Sequence, residues 1–317
     1  MRKYLLPADG KPIKANLHCH STYSDGKYTV EHLKKIYEEK GYGVVAFSDH
    51  NRLLPHPELR SDGFVPLTAT EIDVNGPEER TYHLNFFSAD PDRTEFPEID
   101  RIYGVDGVNE IIRRGNEAGF LCQYNHPRWS LQTPEDFTGL RGLWGFEVFN
   151  TGCEVSMCDG WGDYEYEVMC RDGKELPVAV ATDDNHNWPV EPGDAGDPYD
   201  DSFMGWTTII APELSYSAVI DAMKKGNCYA TTGPEITGLY VENEKLHVEC
   251  TPAKAIFIRF ERRRSDYRRS NGRDITGAEF DVSGDYRFFR LEIHDGEGNK
   301  AMTRAYSRDE IYGNADR

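Results

Sequence analysis

The chain has 317 residues, 38% hydrophobic and 29% charged, with a formal net charge of −19. That length can bury a real core and suggests about two domains, and the balance excludes a disordered or fibrous chain. The negative charge disfavours general binding to a nucleic-acid backbone, and no apolar run approaches the roughly 18–20 residues that span a bilayer.

The opening "MRKYLLPADGK" has an apolar stretch that stops at Leu6, too short for a secretion signal, so a cytoplasmic location is expected. The cysteines are odd in number, seven, with no C-x-x-C pair. Reduced packing thiols are the reading, with Cys19, Cys122 and Cys228 in apolar contexts.

"IKANLHCH" reads as a strand. "TVEHLKKIYEEKGY" follows as a helix, with Val30, Leu33, Ile36 and Tyr37 at helical spacing and Gly41 as its stop. "GVVAFSDH", "FVPLTATEIDV" and "TYHLNFFSA" read as strands. "GVNEIIRRGNEAG" is a helix closed by Gly119, and "FLCQYNHP", "GLWGFEVFN", "PVAVATDDNH" and "GWTTIIA" continue the strand series before a helix in "LSYSAVIDAMKKGN". Strands alternating with helices indicate an α/β architecture around a parallel sheet or barrel. Beyond about residue 235 the texture turns to two-residue alternation with Gly and Asn turns, as in "GLYVENEKLHVEC" and "AIFIRFERR", which predicts a small antiparallel β domain. The division is placed near "TTGPEITG", giving domains 1–234 and 235–317. "NWPVEPGDAGDPYDD" (187–201) reads as a long surface loop.

Polar residues gather where the strands of the first domain end: Asp49 and His50, Glu71, His126, Asp184 and His186. In parallel α/β folds that edge collects function. His18 and His20 are two apart, so on a strand they face one way and Cys19 the other. Such a pair suits one metal, or two imidazoles that hydrogen-bond without one. His50, His83, His126, Asp184 and His186, carried by separate segments, favour metal. Imidazole and carboxylate donors without thiolate suit Zn, Mn or Fe, and there are more donors than one ion uses.

Together "HCH…D", "SDHN", "TEID", "YHLNFF", "NHPRW" and "DDNH" resemble the ordered motifs of the polymerase-and-histidinol-phosphatase (PHP) domain superfamily, over residues 14 to about 234. "GNCYATTGPEI" resembles a segment of its carbaryl-hydrolase-like metallohydrolase branch. The resemblance implies a distorted (β/α)7 barrel, followed here by the small antiparallel β domain, with two to three divalent metal ions (Mn, Fe or Zn) at the C-terminal rim. His18, His20, Glu71 and Asp184 would hold a first metal. Glu71 would bridge to a second, completed by His83 and His126, and Asp25, His50 and His186 would hold a third. Such a cluster implies hydrolysis by a metal-bridging hydroxide.

Around that set, His186 or Asp49 could assist the leaving group, although Asp49 could equally orient a ligand histidine. Arg128 is either a grip on phosphate or half of a surface ion pair, and Trp129 either stacks on substrate or packs. Glu147, Asn125 and Asn150 could support the ligands, while His32, His56, His247 and His294 read as surface or incidental residues. The seven arginines within 259–273 read as a solvated hairpin pairing with the chain's own carboxylates. The expected activity is a phosphoesterase acting on a small phosphorylated metabolite or nucleotide, with no stable nucleic-acid or membrane partner. The same ligands allow an amide, carbamate or ester hydrolase, and a metal-stabilised binding module is the non-enzymatic alternative.

Overall fold

A computed structural model describes residues 2–188, 196–263 and 265–313. After the short strand β1 (Lys3–Tyr4) comes β2 (Lys11–Cys19), whose last five residues are buried. Helix α1 (Val30–Glu39) begins where the Thr29 side chain accepts the amide of His32, and it buries the four apolar residues whose spacing predicts it. There follow β3 (Tyr42–Phe47), β4 (Val65–Asn75), β5 (Thr81–Ser88), α2 (Val105–Glu117), β6 (Phe120–Tyr124), the single turn α3 (Pro134–Phe137) and β7 (Gly145–Asn150). Next are α4 (Thr151–Met157), α5 (Asp163–Asp172), β8 (Val178–Thr182), β9 (Trp206–Ala211), α6 (Tyr216–Lys224) and β10 (Cys228–Thr231).

These strands form one run in the order β10-β9-β2-β3-β4-β5-β6-β7-β8. Pairings β2–β3, β3–β4, β6–β7 and β7–β8 are parallel, as expected. Pairings β4–β5, β5–β6 and β2–β9 are antiparallel, so the sheet is mixed. The reason is local: only Gly76–Arg80 separate β4 from β5, and the amide of Gly76 bonds the carbonyl of Arg80 across the turn. A connection that short makes a hairpin and leaves no room for a crossover helix. At the C-terminal rim the segment after β8 meets the end of β2, with the Asp184 amide on the His18 carbonyl (2.9 Å) and the His20 amide on the Asn185 carbonyl (3.2 Å). Helices α4 and α5 are not legible as periodic segments in the sequence. α4 has seven residues, and in α5 the buried set Tyr166, Val168, Met169 and Cys170 departs from a clean stripe.

Beyond β10 the chain is almost all strand: β11 (Ile236–Glu242), β12 (Lys245–Ala253), β13 (Ala255–Phe260), β14 (Ser265–Arg269), β15 (Ile275–Asp281), β16 (Phe288–His294), β17 (Lys300–Thr303) and β18 (Tyr306–Ser307), then α7 (Arg308–Tyr312). β11, β12 and β15 join β1 in a four-stranded antiparallel sheet. β14, β13, β16 and β17 instead extend the large sheet past β10. Leu239, Val248 and Phe280 of the small sheet pack against Ile256, Ile258, Leu291 and Ile293 of the extension, a two-layer apolar core. No helix among the described residues is long and apolar enough to cross a membrane. Of the loop expected at 187–201, residues 189–195 lie outside the described residues, as does Arg264 of the arginine-rich stretch.

Candidate metal centre

Strand alternation sets the first pair. His18 is the last residue but one of β2 and faces the rim, His20 follows the strand, and Cys19 between them faces the apolar core beneath α1. The two Nε2 atoms come within 3.1 Å. Glu147 on β7 decides which nitrogen of His18 faces inward. Its Oε1 is 2.9 Å from His18 Nδ1 and accepts the Thr182 hydroxyl, and its Oε2 accepts the His126 amide and the Asn150 side chain. A carboxylate held from four sides fixes the imidazole with Nδ1 protonated and leaves Nε2 free to ligate.

Glu71 occupies the middle of β4 and lies at the centre of the group. Oε1 is 3.3 Å from His18 Nε2, 3.1 Å from His83 Nδ1 and 3.6 Å from His126 Nε2, and it accepts the side-chain amide of Asn125 at 2.8 Å. Oε2 is 3.4 Å from His20 Nε2 and 3.2 Å from His50 Nδ1. His83 reaches this rim from near the start of β5, because the hairpin brings that strand back antiparallel. Asp184 Oδ1 is 3.1 Å from His18 Nε2 and 3.0 Å from His20 Nε2, and Oδ2 is 3.7 Å from His126 Nε2. Asp184 and His126 hold positive φ angles of 54° and 22°, conformations non-glycine residues seldom adopt. Strain of that kind collects at functional sites and persists only where the surroundings hold it.

A third group forms on the open side. Asp25 lies 3.6 Å from His20, 3.6 Å from His50 and 3.3 Å from His186, measured between donor atoms. The turn carrying Asp25 presses on the chain so closely that a Cβ on Gly26 would stand 2.4 Å from the His20 carbonyl oxygen. Only glycine fits there. All nine expected ligands therefore converge, in overlapping groups whose donor atoms lie within 4.8 Å of one another.

The electrostatics suit a cation. Burial would lower the pKa of His18, but Asp184, Glu71 and Glu147 outweigh it and raise the group well above its ordinary value. His20 is pushed up to about 10, with Asp184 and Glu71 overcoming burial, and His126 is raised in the same way. Glu71 and Asp184 are depressed in spite of burial, because imidazoles surround them. His50, more open, is lowered by burial. The pocket thus stabilises positive charge at its centre without supplying a lysine or arginine. Oε2 of Glu71 is buried and accepts no hydrogen bond, an arrangement costly to leave unmade. Oxygen and nitrogen donors with an orphaned carboxylate oxygen fit divalent cations.

Other expected residues fall elsewhere. Asp49 is buried beside the cluster and is taken up by the Ser21 amide, the Ser21 hydroxyl and the Ser24 hydroxyl, so it braces the turn that carries Asp25. Arg128 turns away from the cluster: Nε is 2.9 Å from Glu165 and NH1 is 2.6 Å from Asp159. Trp129 is 44% exposed, and its ring lies 5.0 Å from that of His126 and 5.5 Å from that of His83, forming a cavity wall. His56, read from sequence as incidental, is buried between Phe47 and Tyr23 because the short helical turn after it folds back onto β3. Sequence reading passed over Thr182, Gln123 and Ser130, which hold Glu147, Asn125 and His126 in place. It also missed Asp201, which accepts the amides of His186 and Asn187. Only their nearness to a ligand or its support in the chain could have marked them. The cluster opens into a cavity of about 510 Å³, walled further by Trp188, Val155 and Ser156.

Residues 16–140 match the family model described as the PHP domain. No curated protein matches the chain. Among solved structures, a two-domain protein of Bacteroides vulgatus ATCC 8482, containing a predicted PHP-like metal-dependent phosphoesterase, is 14% identical with a TM-score of 0.49, covering 96% of this chain and 98% of its own. A candidate metal-dependent phosphoesterase of Bifidobacterium adolescentis ATCC 15703 is 16% identical with a TM-score of 0.38, covering 56% of this chain and 89% of its own. An amidohydrolase from Chromobacterium violaceum, with bound sulfate and no metal, is 13% identical with a TM-score of 0.36, covering 54% of this chain and 87% of its own.

Proposed function

We propose, from the premise that residues 16–140 are PHP-domain sequence, that this chain is a metal-dependent phosphoesterase acting on a small phosphorylated metabolite or nucleotide at a trinuclear site. In this reading the first domain, 1–234, is a distorted (β/α)7 barrel and 235–317 is a β domain to which residues 3–4 lend a strand. His18, His20, Glu71 and Asp184 would hold one ion, Glu71, His83 and His126 a second, and Asp25, His50 and His186 a third. Divalent Mn, Fe or Zn bound there supplies Lewis acidity and lowers the pKa of water. The chain's own residues do the rest. Glu147 keeps the Nδ1 proton of His18, Asn125 aims Glu71, and Asp49 braces the turn of Asp25. With Nε2 turned to the third group and Nδ1 on the Asp184 carbonyl, His186 would act as a ligand, held at its amide by Asp201, and has no proton left to pass to a departing oxygen.

The observation that carries this reading is Glu71, whose oxygens lie 3.1–3.6 Å from five imidazoles while its buried Oε2 accepts no hydrogen bond. A carbonyl hydrolase, for an amide, carbamate or ester, is the second reading. It is favoured by the absence of any lysine or arginine among the described residues lining the cavity. Arg128 could grip a phosphate only by leaving Asp159 and Glu165. Metal-loaded protein assayed on an aryl phosphate, an aryl phosphodiester and an aryl carbamate separates the readings. Phosphate turnover supports the first, carbamate turnover alone the second, and turnover of none with metal bound leaves a binding module.

A further inference from the structure

Resting on the metal-dependent reading above, we propose that Asn16 is a positioning residue for the metal centre. Its side chain sets His18 against Asp184, two ligand residues that reach the rim from segments far apart in the chain.

Where these two residues meet there is no strand ladder. β2 pairs with β3 and β9, and it touches the segment after β8 through one bridge, between Cys19 and Asn185. Two backbone bonds cross there, from the Asp184 amide to the His18 carbonyl and from the His20 amide to the Asn185 carbonyl. The neighbouring amide, that of Asp183, is taken by a side chain instead: Asn16 Oδ1 lies 3.0 Å from it. The same oxygen accepts the amide of His18 at 3.2 Å, where the register between β2 and β3 shifts. One side-chain oxygen therefore holds the amide of one ligand residue and the amide next to the other. A backbone pinned at those two points suits His18 Nε2 and Asp184 Oδ1 standing 3.1 Å apart.

The other end of the amide keeps that oxygen aimed. Nδ2 donates to the Tyr37 hydroxyl of α1 at 2.9 Å and to Asn185 Oδ1 at 3.2 Å. The Tyr37 hydroxyl in turn donates to Asp183 Oδ2 at 2.9 Å. Asn16 is fully buried, and with two bonds accepted and two donated its amide has no capacity left. Turning the amide over would set Nδ2 against two backbone N–H groups, so only one orientation is satisfied. Asn16 offers nothing to a metal ion directly. It acts through His18 and Asp184, as the outer partners of metal ligands do.

The test uses the full chain and a competitive chelator titration with Zn, the affinity being expressed per folded chain from a parallel denaturant melt. Asn16→Leu keeps the bulk and removes all four bonds, and should weaken Zn binding by about 10–100-fold. Asn16→Asp still accepts both amides and should leave the affinity unchanged. Tyr37→Phe removes a hydroxyl of the same network but no bond to either amide. It should lower the denaturation midpoint and also leave the affinity unchanged. An unaltered affinity in Asn16→Leu overturns the proposal, and so does a loss in Asn16→Asp of the same size. An equal loss in Tyr37→Phe overturns it too, because metal binding would then follow stability alone. Should Asn16→Leu not fold, Asn16→Ala carries the same expectation and the same failure. A parent chain that takes up no divalent cation would instead defeat the metal-dependent reading, and this proposal with it.

Discussion

In the large sheet's extension, Arg290 on β16 is buried with its Nε 2.9 Å from Glu167 of α5 and its NH1 against Glu292, and Glu292 also pairs with Arg259 at 2.7 Å. At the rim, His18, His20 and Glu71 are equally buried and Asp184 is partly so, but their groups are carboxylates and imidazoles with no permanent cation among them. The first cluster carries its own positive charge, because guanidinium stays protonated at any working pH. The second borrows protons from its histidines and still leaves one carboxylate oxygen unsatisfied. One is closed by the chain, while the other has the donors that a divalent cation would close.

Breaking the open cluster gives the largest effect expected. Glu71→Gln should lose bound metal, measured by inductively coupled plasma mass spectrometry, and lose more activity than the roughly 10–100-fold that replacing a ligand's supporting partner costs. Retained metal with undiminished turnover would remove Glu71 from the centre of the site. Breaking the closed cluster should act on stability alone. Arg290→Ala strands Glu167 and leaves buried Glu292 to Arg259 and His294 alone, and should cost up to about 3–5 kcal/mol in a denaturant melt, with metal per folded chain unchanged. Metal loss in that variant would show that the two clusters are linked.

Smaller changes sharpen the contrast. Glu147→Gln frees the His18 ring and should weaken metal affinity by about 10–100-fold in a competitive chelator titration, with the fold intact by circular dichroism. An unchanged affinity would mean that Glu147 does not set the orientation of His18. In the closed cluster, burial would raise the pKa of Glu292, but His294, Arg290 and Arg259 hold it well below the ordinary carboxylate range. A depressed folded pKa stabilises above the unfolded value of about 4.3 and is lost as pH falls through the folded one. The acid side of the stability curve should therefore flatten in Glu292→Gln, and an unaltered curve would refute that assignment. Smallest is Arg128→Ala, whose half-exposed pairs with Asp159 and Glu165 should contribute about 0–1 kcal/mol. A raised KM for phosphate esters in that variant would show that Arg128 does leave its partners for substrate.

Most of the donors that converge were readable from residue type, and Asp25 came only from the family resemblance. Histidines and carboxylates recurring across separate strands have few other reasons to do so, although Glu71, expected at a strand end, lies in the middle of β4, and two-residue spacing puts His18 and His20 on one face whatever surrounds them. The β-rich texture after residue 235 was equally plain, since alternation is a local property. What supports the ligands was not. Thr182, Gln123, Ser130 and Asp201 are ordinary polar residues whose roles exist only through contacts made in the folded chain. Arg128 shows the reverse, a residue adjacent to a ligand in sequence yet turned to carboxylates thirty or so positions away.

By itself the sequence determined the donor set, the strand and helix segments with clean periods, and the acidic balance of the chain, because each follows from residue type and short-range spacing. Tertiary structure alone decided that β1 crosses to the second sheet, that five imidazoles surround Glu71, and that Glu71 keeps an oxygen without a hydrogen bond. Those outcomes depend on which distant segments meet, and no local pattern encodes that meeting.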